Sequence, residues 1–81
     1  MMEQPAPQLK TAPTIDGAKL RYWREKRGLS RAKLGKRVQL SDVTIYQIER
    51  GKRNTAPHNI VNFAQVLKIP VDELLKGNGD G

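Results

Sequence analysis

The sequence predicts an all-α domain, a compact set of five short helices behind a disordered N-terminal arm. Three observations predict it. Apolar residues recur at helical spacing, as in Leu34 and Val38 or Ile45 and Ile48. Serines or a proline stand where helices would open, and Gly28, Gly51 and Gly77 stand where they would close. No stretch alternates apolar and polar residues as a half-buried strand would.

Residues 1–13 hold Pro5, Pro7 and Pro13 among Gln, Ala and Thr, and nothing there can bury a core. They read as a disordered arm, a loose terminus rather than a groove-binding segment, because Lys10 is its only basic residue. The folded domain is expected over 14–77. Thr14 or Asp16 can cap a first helix running to about Arg27, with Leu20 and Trp23 facing inward. Trp23 reads as a core residue rather than a base-stacking platform.

Ser30 caps the second helix, whose apolar face is Leu34 and Val38. Gln39 and Leu40 make the turn. Ser41 caps the third helix, which buries Ile45 and Ile48 and ends before Gly51. Lys52 to Thr55 form a polar, basic loop. A fourth helix runs from near Pro57 to Lys68, with Ile60, Val61, Ala64 and Leu67 as its stripe and Phe63 beside them. A short fifth helix is expected at about Val71 to Lys76, with Val71, Leu74 and Leu75 as its apolar residues. Residues 78–81 read as a loose tail.

Charge is unevenly placed. The chain of 81 residues has 15 Lys and Arg against 8 Asp and Glu, a net of +7. Segments 1–14 and 55–81 carry almost none of that excess; it lies in 15–54, densest over 31–54. Such a footprint suits a polyanion.

Other classes fall away. There are no cysteines, which excludes disulfide frameworks and cysteine-ligated zinc fingers. No apolar run approaches the ~20 residues of a membrane span, and Met1 to Pro13 lack a signal-peptide core. A soluble, cytoplasmic protein is expected. His58 is the only histidine, and it reads as a solvated residue at a helix start. With no Ser-His-Asp set, Gly-rich phosphate loop or acidic metal cluster, no enzyme, metal or cofactor is expected.

Residues 17–76 resemble the lambda-repressor-like DNA-binding domain of the Cro/CI type, the XRE family. The marks are Leu20-Arg21 and Arg24, then Gly28-Leu29-Ser30, Leu34, Leu40-Ser41 and Ile45. Ile48-Glu49-Arg50-Gly51-Lys52-Arg53-Asn54 follow, and Ala64, Leu67, Val71 and Leu74 complete the pattern. The match keeps the family order over most of the chain.

Four positions depart from the family pattern. Arg31 stands where the family usually has Gln, and Gly35 where it usually has Ala. Gln39 replaces the usual turn Gly, and the proline common after Asn54 is displaced to Pro57. Gly35 still permits a close helix crossing, at up to ~1 kcal/mol of helix stability relative to Ala. Gln39 needs a left-handed backbone, uncommon without glycine.

The resemblance implies a compact five-helix helix-turn-helix domain whose third helix, about 42–50, enters the major groove. With Ile45 and Ile48 inward, Asp42, Val43, Tyr46 and Gln47 point outward, at the positions where the family reads bases. Gln47 can pair bidentately with adenine, and Val43 can touch a thymine methyl. Tyr46 can stack on sugar or reach a phosphate. Asp42 has two readings: an acceptor for a cytosine amine, or a first-turn residue favoured by the helix dipole. Phosphate contacts are expected from Ser30, Arg31, Lys33, Thr44, Arg50, Lys52 and Arg53, with Lys36 as an outer member. For a single Lys or Arg a solvated face is the commoner reading, but the cluster around the motif points to DNA. The resemblance also implies a structural ion pair between Arg24 and Glu49.

The expected function is a sequence-specific transcriptional regulator of double-stranded DNA, acting most simply as a repressor by occlusion. The chain holds no separate dimerisation or effector domain, so a weak homodimer, or a monomer that pairs on DNA, is expected. Leu74 and Leu75, with Val66 or Phe63, either supply a small apolar contact or only finish the core. The alternative is a protein-binding adaptor or co-activator, or an antitoxin, using the same fold.

Overall fold

In the computed structural model, residues 13–77 are described. The expected arm, apart from Pro13, and the expected tail 78–81 lie outside them. Four α-helices follow in order: α1 (Gly17–Lys26), α2 (Arg31–Val38), α3 (Asp42–Glu49) and α4 (Pro57–Leu67). A 3-10 turn, Val71–Leu74, completes the set.

The helix starts are chemically capped. Asp16 Oδ1 accepts from the N–H groups of Ala18 at 3.0 Å and Lys19 at 3.3 Å. Thr14 has another task, described below. Ser30 Oγ accepts from Lys33 N–H, and Ser41 Oγ from Thr44 N–H. These bonds satisfy donors that the first helical turn leaves without partners. α4 has no side-chain cap, but Pro57 occupies its first turn, where a missing N–H costs nothing. At its other end Arg27 Nε donates to the Leu67 carbonyl at 2.7 Å. A cation there also complements the helix dipole.

The turn between α2 and α3 passes through Gln39 at φ 64°, ψ 42°, the left-handed backbone expected for it. Leu40 N–H then bonds the Gly35 carbonyl at 2.9 Å. A Cβ on Gly35 would overlap the Leu40 carbonyl oxygen, so the crossing requires glycine in this geometry. The helix propensity that Gly35 gives up is the cost of that approach. Gly17 is similar, because its missing Cβ leaves room for the carbonyls of Ile48 and Glu49. The start of α1 thus rests directly on the end of α3.

One core joins all the elements. Leu20, Leu34, Ile45, Ile48, Ile60, Phe63, Leu67 and Leu74 are fully buried, with Ile15, Val38 and Ala64 beside them. α2 packs on α3 and α4, while α1 packs on α3 and the 3-10 turn. Trp23 is half-buried against this core rather than inside it, with the Arg27 guanidinium 5.2 Å from its ring centroid. Val61 is exposed and Phe63 takes its place in the α4 stripe. Phe63 and Leu74 finish the core and are not available as an external contact; Val66 and Leu75 are only partly covered.

The expected fifth helix is a single 3-10 turn and stops short of Lys76. Leu75 is extended, at φ −91°, ψ 151°, and forms an antiparallel bridge with Ile15. Asp16 N–H bonds the Leu74 carbonyl at 2.7 Å, and Lys76 N–H bonds the Thr14 carbonyl at 3.0 Å. Four residues offer too few internal bonds to outweigh such pairing, since helix nucleation is unfavourable. Among the described residues this bridge is the only β-type pairing. None of the described helices is long and apolar enough to cross a membrane.

Candidate nucleic-acid interface

The two sides of α3 have opposite chemistry. Ile45, Ile48 and Glu49 are buried. Val43 is 59% exposed and Tyr46 42% exposed. Asp42 is exposed in the first turn, and Gln47 and Thr44 are half-buried. Asp42, Val43, Tyr46 and Gln47 therefore share the outward side and N-terminal end of one eight-residue helix.

The carboxylate of Glu49 anchors the inner side. Arg24 Nε donates to Glu49 Oε2 at 2.6 Å, and Arg24 Nη2 donates to Oε1 at 3.1 Å. Arg24 Nη1 reaches the Leu29 carbonyl at 2.8 Å. One guanidinium thereby ties α1 to α3 and to the α1–α2 connection. The fork geometry of arginine makes the bidentate pair directional. Side-chain exposure is 8% for Arg24 and 1% for Glu49, so the pair lies out of water.

Arg31 joins this pair, which its spacing in sequence does not signal. Its Nε donates to Glu49 Oε1 at 3.1 Å, and its guanidinium carbon lies 5.0 Å from the Tyr46 ring centroid. Arg50 approaches the same tyrosine from its own helix end, donating from Nη1 to the hydroxyl at 2.8 Å. Tyr46 thus stands between two cations.

A second polar cluster sits at the α3 N-terminus. The Ser41 hydroxyl donates to Thr44 Oγ1 at 2.9 Å, and Arg53 Nη1 donates to the same oxygen at 3.2 Å. Lys52 is exposed just past the C-terminal end of α3, its backbone N–H bonded to the Gln47 carbonyl. Ser30 and Lys33 are exposed at the first turn of α2. His58 is exposed at the start of α4. Among the described residues no group of three acidic or histidine side chains is placed to hold a metal ion.

This arrangement is two capped helices at a tight turn, with an anchored inner side and a bare outer side. A helix-turn-helix family profile matches residues 20–74. The chain belongs to the Cro/CI-type helix-turn-helix family. Members of this family are DNA-binding transcription regulators.

Solved structures agree. The restriction-modification controller protein C.AhdI from Aeromonas hydrophila is 35% identical, with a TM-score of 0.67; the match covers 70% of this chain and 86% of that one. The P22 c2 repressor, solved in complex with a synthetic operator, is also 35% identical, with a TM-score of 0.71, over 76% of this chain and 94% of that one. SinR, solved in complex with DNA, shares the fold at 21% identity and a TM-score of 0.65, over 69% of this chain and 90% of that one. Among curated proteins nothing matches.

Proposed function

We propose that this regulator binds DNA sequence-specifically by laying α3 in the major groove, and that it represses by occluding its site. The observation that carries the reading is the division of α3. Its inner side is fixed by Ile45, Ile48 and Glu49, while Val43 and Tyr46 stand exposed, Tyr46 beside the guanidinium groups of Arg31 and Arg50. A rigid helix with bare side chains and flanking cations is what base readout requires.

In this reading Gln47 pairs with adenine, Val43 meets a thymine methyl and Tyr46 reaches a base edge. Asp42 either accepts from a cytosine amine or serves only the helix dipole. Ser30, Lys33, Thr44, Arg50, Lys52 and Arg53 hold phosphates and set the register. Two copies pair on a palindrome with half-sites about one helical turn apart. That the P22 c2 repressor was solved on an operator supports the choice of partner.

Substitution separates the two kinds of contact. Gln47→Ala should relax preference at one base pair, by about 1–3 kcal/mol, and leave other positions alone. Lys52→Ala should weaken every duplex alike and make the log–log salt slope shallower by about 0.9. Binding isotherms on a selected duplex and its single-base variants, across a salt series, read both. Uniform weakening by Gln47→Ala would contradict base readout by α3. Function lost through a non-basic face, with little salt-sensitive DNA binding, would favour a protein-binding adaptor.

A further inference from the structure

Charge alone groups Arg31 with the phosphate contacts, but its surroundings do not. Its Nε is bonded to Glu49 Oε1, the oxygen that also accepts from Arg24 Nη2, and that carboxylate is 1% exposed. Its guanidinium lies against the Tyr46 ring, 5.0 Å from the centroid. A contact chain therefore runs from the buried Arg24–Glu49 pair through Arg31 to an aromatic side chain on the outer side of α3. Moving Arg31 Nε from Glu49 to a phosphate would break that bond and draw the guanidinium off the ring.

The hydroxyl at the end of that chain has a defined polarity. Arg50 Nη1 donates to it at 2.8 Å. Arginine has donors and no acceptor, so the tyrosine oxygen accepts and its own proton is left to donate. On the major-groove edges the acceptors are guanine N7 and O6, adenine N7 and thymine O4. A ring flanked by two guanidinium groups has little freedom to turn, which aims that proton before DNA arrives.

We propose that Arg31 is a specificity-determining positioning residue: it orients Tyr46, whose hydroxyl donates to an acceptor on one base edge. The proposal rests on the reading that α3 enters the major groove. It differs from a phosphate role in what the substitution changes. A lost phosphate contact weakens all sequences and makes the salt slope shallower. A lost orientation blurs one base pair.

The test uses the full chain. Bound duplexes are selected from a random pool with the wild-type protein, and isotherms on the selected duplex and its single-base variants are measured at several salt concentrations. The variants are Arg31→Gln, Arg31→Lys, Tyr46→Phe and the double variant Arg31→Gln/Tyr46→Phe, each checked for folding by thermal melting. Lysine keeps the charge but not the planar, stacking guanidinium, and it carries the test alone should Arg31→Gln not fold.

Both Arg31 variants should lose about tenfold discrimination, the worth of one hydrogen bond, at a single base pair. Tyr46→Phe should blur the same base pair, and the double variant should lose no more there. The salt slope of Arg31→Gln should match the wild type. Uniform weakening by Arg31→Gln with a slope shallower by about 0.9, or wild-type discrimination in Arg31→Lys, would overturn the proposal. No enriched sequence with the wild-type protein would overturn the major-groove reading, and this proposal with it.

Discussion

Glu49 accepts three hydrogen bonds from two arginines, and its side chain is almost wholly out of water. Glu49→Ala leaves the buried Arg24 with only the exposed Glu25 carboxylate, 3.8 Å away, as counter-charge, and losing the buried partner of such a pair costs up to about 3–5 kcal/mol. Chemical denaturation of the variant should show that loss, and DNA affinity should fall with it, because the same carboxylate sets the seat of α3 against α1. An unchanged denaturation midpoint would contradict the role given to the pair. The exposed Arg21–Glu25 pair offers a contrast. Their hydrogen bond raises the Arg21 pKa, yet both side chains are more than half exposed, and pairs of that kind contribute little. At this scale the sequence was partly readable. Arg24 and Glu49 could be linked because the family pattern pairs those positions. Arg31 could not be placed, since a lone basic residue at a helix start looks the same whether it faces a phosphate or a neighbour on the next helix.

Caps and turns were readable at the element scale because their chemistry is local. Asp16, Ser30 and Ser41 each bond donors within three residues. Gln39 is left-handed because the tight connection from α2 to α3 requires a positive φ there, whichever residue holds the position. That conformation costs a non-glycine residue about 1–2 kcal/mol, of which the extra unfolded-state freedom of glycine would take back about 0.4–1 kcal/mol. Gln39→Gly should therefore raise stability, by up to about 1 kcal/mol, seen as a higher melting temperature. A lower melting temperature would mean that the Gln39 side chain supports the turn in a way its backbone does not reveal. Elsewhere distant chain decides the local structure. Leu75 pairs with Ile15 and so leaves the helix expected for it. Val61 and Phe63 exchange places because apolar identity alone does not centre a stripe on the core. Arg27 caps α4 across the molecule, a role invisible from within α1.

Across the whole molecule, the excess of basic residues lies over 15–54, and the C-terminal segment is nearly balanced. That stretch contains α3 and the loop after it, so the charge that would draw in a polyanion lies in the same stretch of chain as the helix proposed to read bases. The family could be read from the sequence because its marks are spread over α1, the turn and α4 in a fixed order. The surroundings of Tyr46 could not, because they depend on side-chain directions that Arg31 and Arg50 set from two different helix ends. The central claim is that the bare side of α3 reads DNA sequence. Selection of bound duplexes from a random pool by the full chain tests it most directly. The expected result is an enriched, palindromic sequence whose affinity falls with salt at a log–log slope of about −7, for Lys33, Arg50, Lys52 and Arg53 of two bound copies each engaging a phosphate. Salt-sensitive binding with no sequence enriched would contradict it.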